Sequence, residues 1–491
     1  MTDTAGTGAL PVEGVPAARV LDEIRALRAA DRPTHGGRLF AYVYDPGVAG
    51  LDELAQAAHA ESAHVNGLDP TAFPSLLAME NALVGAAARL LGGGPGTSAP
   101  DVVGSVTSGG TESLILAVKA ARDARPDLTE PRIVVPVSGH AAFAKAAHYL
   151  RVALDPVPVD PVTLRPAVAD VAAAIRPETV LVVASAPSYA HGVVDPVAEI
   201  AAVAAAAGVR CHVDACFGGW TLPWLRRLGA PVPPFDFAVP GVTSISVDLH
   251  KYAYAPKGVS VLLHRDAGLR APQFFAYADW PGYTMVNPVI ASTRSGGPIA
   301  AAYATLRHLG EDGYLRLAEV TRDAVAGLAD AVRAVDGLRL LAEPESTVVC
   351  FTADDPELDL FVLVDELTAR GWHTQPQLAY AGLPASVHLT VTAAVVRRVA
   401  EFGPALAEAA AAARAAGPVV LPPELLALAG SLAPEALTPD LIAGLAAGLG
   451  LGAGAAPDRM AAVNTLLQAA PVRLRERLLV EFVGLLQRPT W

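Results

Sequence analysis

The segment SISVDLHKYAYAPKG, residues 244–258, ends a β-branched run in His250 and Lys251, then passes two tyrosines to a second lysine, Lys257. A lysine at a strand end forms an imine with an aldehyde cofactor when burial lowers its pKa. By itself such a lysine is more often a solvated loop residue. What lies elsewhere along the chain has to decide.

Three other segments bear on it. TSGGTES, residues 107–113, follows an apolar run and precedes the helical stretch ESLILAVKAARD. Its glycines expose backbone N–H groups at a helix N-terminus, where the helix dipole also favours an anion. Thr111 and Ser113 add hydroxyl donors. The segment lacks a P-loop lysine and the GxGxxG spacing, so a bare phosphate monoester is the expected cargo, with an ordinary capped turn as the alternative. HVDACFGGW, residues 212–220, puts Asp214 at the end of an apolar strand, on the edge where open α/β sheets bind ligands. A carboxylate there holds a pyridine nitrogen protonated and makes the ring an electron sink; the plainer role is a turn cap. In SGHAAFAKAAHYL, residues 138–150, His140 is placed to stack on such a ring, or else to cap a helix. A phosphate cradle, a strand-end acid and a later lysine, in that order on one sheet, are the parts a pyridoxal phosphate site requires.

These segments need a scaffold. Short Val/Ile runs at 102–106, 133–137, 180–185, 211–213, 244–247 and 259–263 alternate with Ala-rich helical stretches. That alternation predicts an α/β domain over residues 66–310, with a mostly parallel sheet covered by helices on both faces. Residues 1–65 read as an N-terminal arm with one helix in ARVLDEIRALRAA. Residues 311–415 read as a smaller α+β domain, with strands near 347–351 and 387–391 and a helix near 359–370. Residues 416–491 read as a helical appendage with Gly-rich interruptions such as GLGLGAGAAP.

Composition narrows the class. At 491 residues, 52% hydrophobic and 17% charged, the chain suits a large, well-buried globule of two or three domains. A net charge of −13 with no run of Lys or Arg makes nucleic acid and anionic membrane poor partners, while a small anionic ligand stays possible. Three cysteines without a CxxC pair suggest no metal and a reducing compartment, the cytoplasm. Neither a signal peptide nor a membrane span is expected.

TSGGTES, GHAAFAKAAHYL, AHGVVDPVAEIA, HVDACFGGW, SVDLHKYAYAPKG and STRSGG occur in this order. They resemble the sphingosine-1-phosphate lyases, within the group that includes the pyridoxal-phosphate-dependent amino-acid decarboxylases. The resemblance runs from about residue 36 to 400. It implies a type I PLP-dependent transferase-like fold with a seven-stranded type of sheet, and a homodimer with sites at the subunit interface. It implies pyridoxal 5'-phosphate on Lys251, Asp214 at the ring nitrogen, His140 on the ring face, and Gly110, Thr111 and His250 at the phosphate. Arg294, in STRSGG, would approach from the partner subunit. Tyr44 and Lys257 would belong to the family's grip on a substrate phosphate.

Two reactions fit a small-molecule amine or amino acid. Retro-aldol cleavage of a β-hydroxy amine or amino acid releases an aldehyde and needs a base for the hydroxyl. Decarboxylation needs only a suitably oriented carboxylate. The lyase-type segments favour the first; a non-catalytic protein on the same fold is the remaining alternative. One position departs from the pattern: NGLDPTAFP, residues 66–74, has Asp69 where these lyases carry a histidine of the phosphate grip. Like-charge repulsion there argues against a long-chain phosphorylated base, and so does a pairing of Asp69 with Lys257, which leaves a polar pocket for an uncharged or cationic group; the opposing case is that Asp69 points away and His35 or Arg38 supplies the charge.

Overall fold

The computed structural model describes residues 10–424, 427, 441, 444 and 459–487; the GLGLGAGAAP stretch lies outside them. Seven strands form the central sheet: β1 Val103–Thr107, β2 Arg132–Pro136, β3 Ala153–Val157, β4 Thr179–Ser185, β5 Arg210–Asp214, β6 Val242–Asp248 and β7 Ser260–His264. Their spatial order is β1-β7-β6-β5-β4-β2-β3, and only β7 runs against its neighbours. All seven residues of β4 are buried, as expected of an apolar strand covered on both faces.

Helices α1 Ala17–Leu27, α2 Leu51–Glu61 and α3 Pro74–Leu90 precede the sheet. The crossovers are α4 Gly110–Asp123, α5 Ala142–Leu150, α6 Val168–Ala174, α7 Val197–Ala206 and α8 Leu222–Arg227. After a short α9, Ala267–Arg270, comes a two-stranded hairpin, β8 Phe275–Tyr277 and β9 Met285–Asn287. Then α10, Gly296–Arg333, leaves the large domain. It is broken at Gly310, whose φ of 59° and ψ of 179° no helix contains.

The smaller unit carries β10 Leu338–Leu340, β11 Val348–Ala353, β12 Gln375–Gln377 and β13 Ser386–Thr390, in antiparallel order β10-β11-β13-β12, with α11 Leu360–Ala369 and α12 Val399–Ala416. Asp359 caps α11 by accepting from the N–H groups of Phe361 and Val362. The arm enters this unit's core: Phe40, fully buried, stacks on Trp372 at 5.9 Å and meets Phe402 edge-on at 5.3 Å. Of the appendage, helices Ala461–Ala469 and Val472–Leu486 are described; Asp365 on α11 accepts from the N–H groups of Met460 and Ala461.

Three histidines are buried in strands and paired with neutral partners. His212 lies between Ser244 and Ser246, His264 meets Gln273, and His388 meets Thr390. Burial lowers them to about 3, 4 and 4 respectively. The unfolded chain therefore binds more protons between pH 6.5 and about 4, so stability falls as pH falls through that window. Asp195, which burial raises to about 7, opposes this with one group against three. Denaturant midpoints are expected to drop steadily from pH 6.5 to 4, by on the order of 1 kcal/mol per histidine per pH unit. A His212→Asn variant should show a shallower slope; an unchanged slope would contradict the assignment.

Candidate active site

Strand register brings the expected residues to one sheet edge. Thr107 of β1 pairs with Ser260 of β7, and Ser260 pairs with Asp248 of β6. On the other side of β6, Ser246 pairs with Asp214 of β5. Lys251 follows three residues after Asp248, and its Nζ lies 3.0 Å from the Asp248 Oδ2. Burial alone would lower the Lys251 pKa. The Asp248 carboxylate, with smaller contributions from Tyr44, Cys216 and Asp214, overrides burial and raises it above the usual lysine range. Burial acts to raise the Asp248 pKa, but the charges of Lys251 and His250 and the Ser260 hydroxyl bring it below the ordinary value.

The TSGGTES turn enters this edge through glycine. A Cβ on Gly110 would sit 2.9 Å from both Asp248 oxygens and from the Cys216 Sγ, so no larger residue fits without displacement. The first-turn N–H groups of Gly110, Thr111 and Glu112 have no carbonyl to reach within α4. Thr111 is exposed beside them. His250 flanks the turn, with its Cε1 3.5 Å from where a Cβ on Gly109 would be, and its buried Nδ1 has no partner among the described residues. Burial holds this imidazole below the ordinary range despite Asp248. Free N–H groups, a hydroxyl and an unpartnered imidazole nitrogen form a donor set that suits a phosphate. Ser113 is a correction: it is fully buried and hydrogen-bonds Thr107 at 2.7 Å, so it braces the turn from behind and offers the anion nothing.

Asp214 is buried, and its Oδ1 accepts from the Cys216 N–H at 3.1 Å. Capping and ring-nitrogen binding are compatible, because a carboxylate has four lone-pair sites. His140 is exposed at the start of α5, with its Nδ1 accepting from the Ala142 N–H at 3.1 Å and its ring edge-on to Tyr189 at 6.3 Å. The donor set and the two flanking groups together fit pyridoxal phosphate.

Tyr44 and Lys257 join the site from two directions. The Tyr44 ring meets Phe217 at 6.2 Å and Tyr252 at 5.1 Å, and burial raises its hydroxyl above the ordinary tyrosine range. Lys257 is exposed as a residue, but its Nζ lies over the Tyr44 ring, 4.8 Å from the centroid. Burial there, followed by the charge of Lys251, lowers its pKa to about 8. Among the described residues no carboxylate pairs with it. Asp69 does not: its carboxylate is exposed, accepts from the N–H and hydroxyl of Thr71 at 2.8 and 2.6 Å, and is lowered by those bonds. The Lys257–Asp69 pairing is therefore absent from this chain, and a solvated Asp69 repels little. His35 lies between Asp45 and Asp52, and Arg38 pairs with Glu401, so neither supplies a free charge here. Arg294 is held by Glu80 of its own chain through both carboxylate oxygens. Asp248, Phe217 and Tyr189 were missed from the sequence. Asp248 had a signal, since an acid three residues before the lysine is within reach of it across one turn.

The family model of the pyridoxal-dependent decarboxylase conserved domain matches residues 38–354, and a C-terminal HTH domain model of pyridoxal-dependent enzymes matches residues 423–485. The sphingosine-1-phosphate lyase of Arabidopsis thaliana is 38% identical, over 84% of this chain and 75% of its own. That of Dictyostelium discoideum is 36% identical, over 79% and 71%. Among solved structures, the sphingosine-1-phosphate lyase of Burkholderia pseudomallei superposes with a TM-score of 0.78 at 35% identity, covering 84% of this chain and 95% of that one. Lactobacillus brevis glutamate decarboxylase shares the fold, with a TM-score of 0.72 at 21% identity.

Protein loaded with pyridoxal phosphate should absorb at the edge of the visible range, and borohydride should abolish that band. Lys251→Ala should lose the reducible band. Gly110→Ala should weaken cofactor retention by roughly tenfold or more, because its Cβ displaces the phosphate turn. A Lys251→Ala protein that keeps the band would remove Lys251 from the site.

Proposed function

The chain belongs to the pyridoxal-dependent decarboxylase family and is a pyridoxal-phosphate-dependent lyase, and on that premise we propose that it cleaves a carbon–carbon bond in a β-hydroxy amine or amino acid that carries an anionic group. Lys251 would hold the cofactor, Asp214 its ring nitrogen, His140 its ring face, and Gly110, Thr111 and His250 its phosphate. When bound, pyridoxal phosphate supplies an electron sink for the bond broken beside the amine-bearing carbon. The observation that carries the substrate class is the Lys257 ammonium over Tyr44, without a carboxylate partner among the described residues and within electrostatic reach of Lys251.

Each chain residue then has a definite task. Asp248 places the Lys251 amine at the strand end, 3.0 Å from its own carboxylate, where the cofactor would be held. Asp214, buried at the end of β5, sets a carboxyl group where the ring nitrogen would be held. Lys257 and Tyr44 bind the substrate's anion and hold the amine-bearing carbon in register. Phe217 and Tyr252 wall the pocket with aromatic surface and keep water from the reacting bond. Release of an aldehyde needs a base to take the hydroxyl proton, and the electron pair of the broken bond would pass to the sink that the bound cofactor supplies. The relatives named for sphingosine 1-phosphate act on one such molecule, and the exposed Asp69 removes the ground for rejecting a phosphate.

We further place the protein in the cytoplasm, on its three buried free cysteines, and propose a homodimer. Support for the dimer comes from the β8–β9 hairpin, where Phe275, Tyr277, Trp280 and Tyr283 leave an aromatic patch exposed. Sedimentation of the loaded protein should give a dimer; a monomer with full cofactor occupancy would refute this.

Aldehyde and carbon dioxide should be assayed separately, on phosphorylated and unphosphorylated β-hydroxy amines and on amino acids. Aldehyde without carbon dioxide is expected, and the reverse would establish a decarboxylase. Lys257→Met should raise KM for the phosphorylated substrate roughly tenfold to a hundredfold with a smaller change in kcat. Because Lys257 is cationic below about 8, KM for that substrate should rise as pH passes through 8, and the variant should lose this dependence.

A further inference from the structure

The arm reaches the site through a backbone conformation that a tyrosine rarely adopts. Tyr42 has a φ of 67°, and across it the Val43 N–H donates to the Ala41 carbonyl at 2.8 Å. A hydrogen bond spanning one residue at that φ makes the strained form of γ-turn, which an aromatic side chain destabilises. Both flanks hold the turn. The Phe40 N–H donates to the His373 carbonyl and the Phe40 carbonyl accepts from the Thr390 N–H, each at 2.8 Å. On the other side, Tyr44 packs edge-on against Phe217 and Tyr252.

Backbone strain persists where the surroundings enforce it, and it gathers at ligand-contacting positions. Tyr254, also at positive φ (58°), has a structural account: it is 8% exposed, and its ring meets Tyr252 edge-on at 6.2 Å. Tyr42 has none. It is 71% exposed, and among the described residues its hydroxyl makes no hydrogen bond and its ring meets no other aromatic ring.

The same anchors bring Tyr42 beside the site. Two residues after His373, the Gln375 Oε1 accepts from the Tyr189 hydroxyl at 2.8 Å. Two residues before Thr390, His388 stacks on the Tyr189 ring at 4.6 Å. The arm therefore leaves the β12–β13 pair where that pair holds Tyr189, and Tyr42 lies within electrostatic reach of the Tyr189 hydroxyl. Tyr189, Tyr44 and the Lys251 Nζ surround one ring, Phe217, at 5.7, 6.2 and 5.7 Å.

We propose that Tyr42 is a specificity-determining residue, whose ring forms an apolar wall for the carbon chain of the substrate amine at the outer edge of the Lys251 site. This rests on the lyase reading above, which puts that amine at Lys251. An aromatic ring offers a broad apolar face and has only two side-chain torsions to fix when a chain lies against it. The strained turn, pinned at Phe40 and Tyr44, sets where that face stands. Recognition is thereby divided, with the anion at Lys257 and the apolar chain at Tyr42.

The test uses the cofactor-loaded protein and two amines without a β-hydroxyl, so that neither can release an aldehyde. They are O-phosphoethanolamine and the same molecule with a hexyl chain on its amine-bearing carbon. Binding is read from the change each makes in the cofactor's absorbance. The hexyl compound should bind the native protein roughly tenfold more tightly than its parent. Tyr42→Gly and Tyr42→Asn, which both accept a positive φ, should lose about fivefold of that preference. Their affinity for the parent should stay the same, and their denaturant midpoints should be no lower than the native one. Tyr42→Phe should keep the preference. An intact preference in the Gly and Asn variants would overturn the proposal. So would lowered midpoints with both amines weakened alike, which would make Tyr42 a structural residue, and so would a Phe variant that loses the preference. The expected binding pattern in a protein that releases carbon dioxide and no aldehyde would keep the Tyr42 contact and refute the lyase reading alone.

Discussion

Lys251 occupies a place from which an isolated ammonium would be expelled or neutralised, since removing one charge from water costs several kcal/mol even after relaxation. It stays charged because Asp248 is 3.0 Å away, and Asp248 is anionic because three elements converge on it. Ser260 of β7 donates to its carboxylate, His250 lies 3.5 Å from it, and the glycine at the start of α4 lets a helix N-terminus approach within contact. A buried pair of this kind adds little net stability, and removing one partner is costly. Its effect is positional. β6, β7 and α4 can meet only in the arrangement that satisfies this carboxylate, and that arrangement also leaves the phosphate turn open.

The smaller domain is tied to the same point. The Tyr252 hydroxyl, one residue after Lys251, donates to the Val391 carbonyl at 2.9 Å just beyond β13. Its ring also supports Tyr44, which the arm delivers after passing through the smaller unit at Phe40. Arg165 and the Val194 N–H bind Glu345, and the Ser346 hydroxyl donates to the Gly192 carbonyl. The turn that carries Tyr189 and His191 is therefore gripped from the smaller domain on both sides. Residues far apart in sequence become neighbours because both units are fastened to the strand ends.

Much of the large domain was legible in the sequence because buried parallel strands must be continuously apolar, and six of the seven were read within a residue or two. β3, ALDPV, escaped because it is an edge strand, with alternating burial and a proline that an edge tolerates. β12, QPQ, is shorter still and pairs only with β13. Lys251, Asp214 and the phosphate turn were legible because each sits at a strand end in a recognisable segment. Side-chain direction was not. Ser113 reads as a donor in TSGGTES yet points into the sheet, since the helix turns it three residues away from Gly110. Asp69 reads as a charge near the substrate, but its short side chain caps its own turn.

The distribution of charge explains how an acidic chain handles an anionic ligand. The net charge of −13 repels phosphates at long range, yet that field is screened within about 10 Å at ordinary ionic strength. Inside the pocket the local balance rules. Asp248 is occupied by Lys251, whereas Lys257 has, among the described residues, the face of Tyr44, which steadies a cation without neutralising it. The lowered pKa of Lys257 follows from this incomplete solvation, and an arriving anion would complete it.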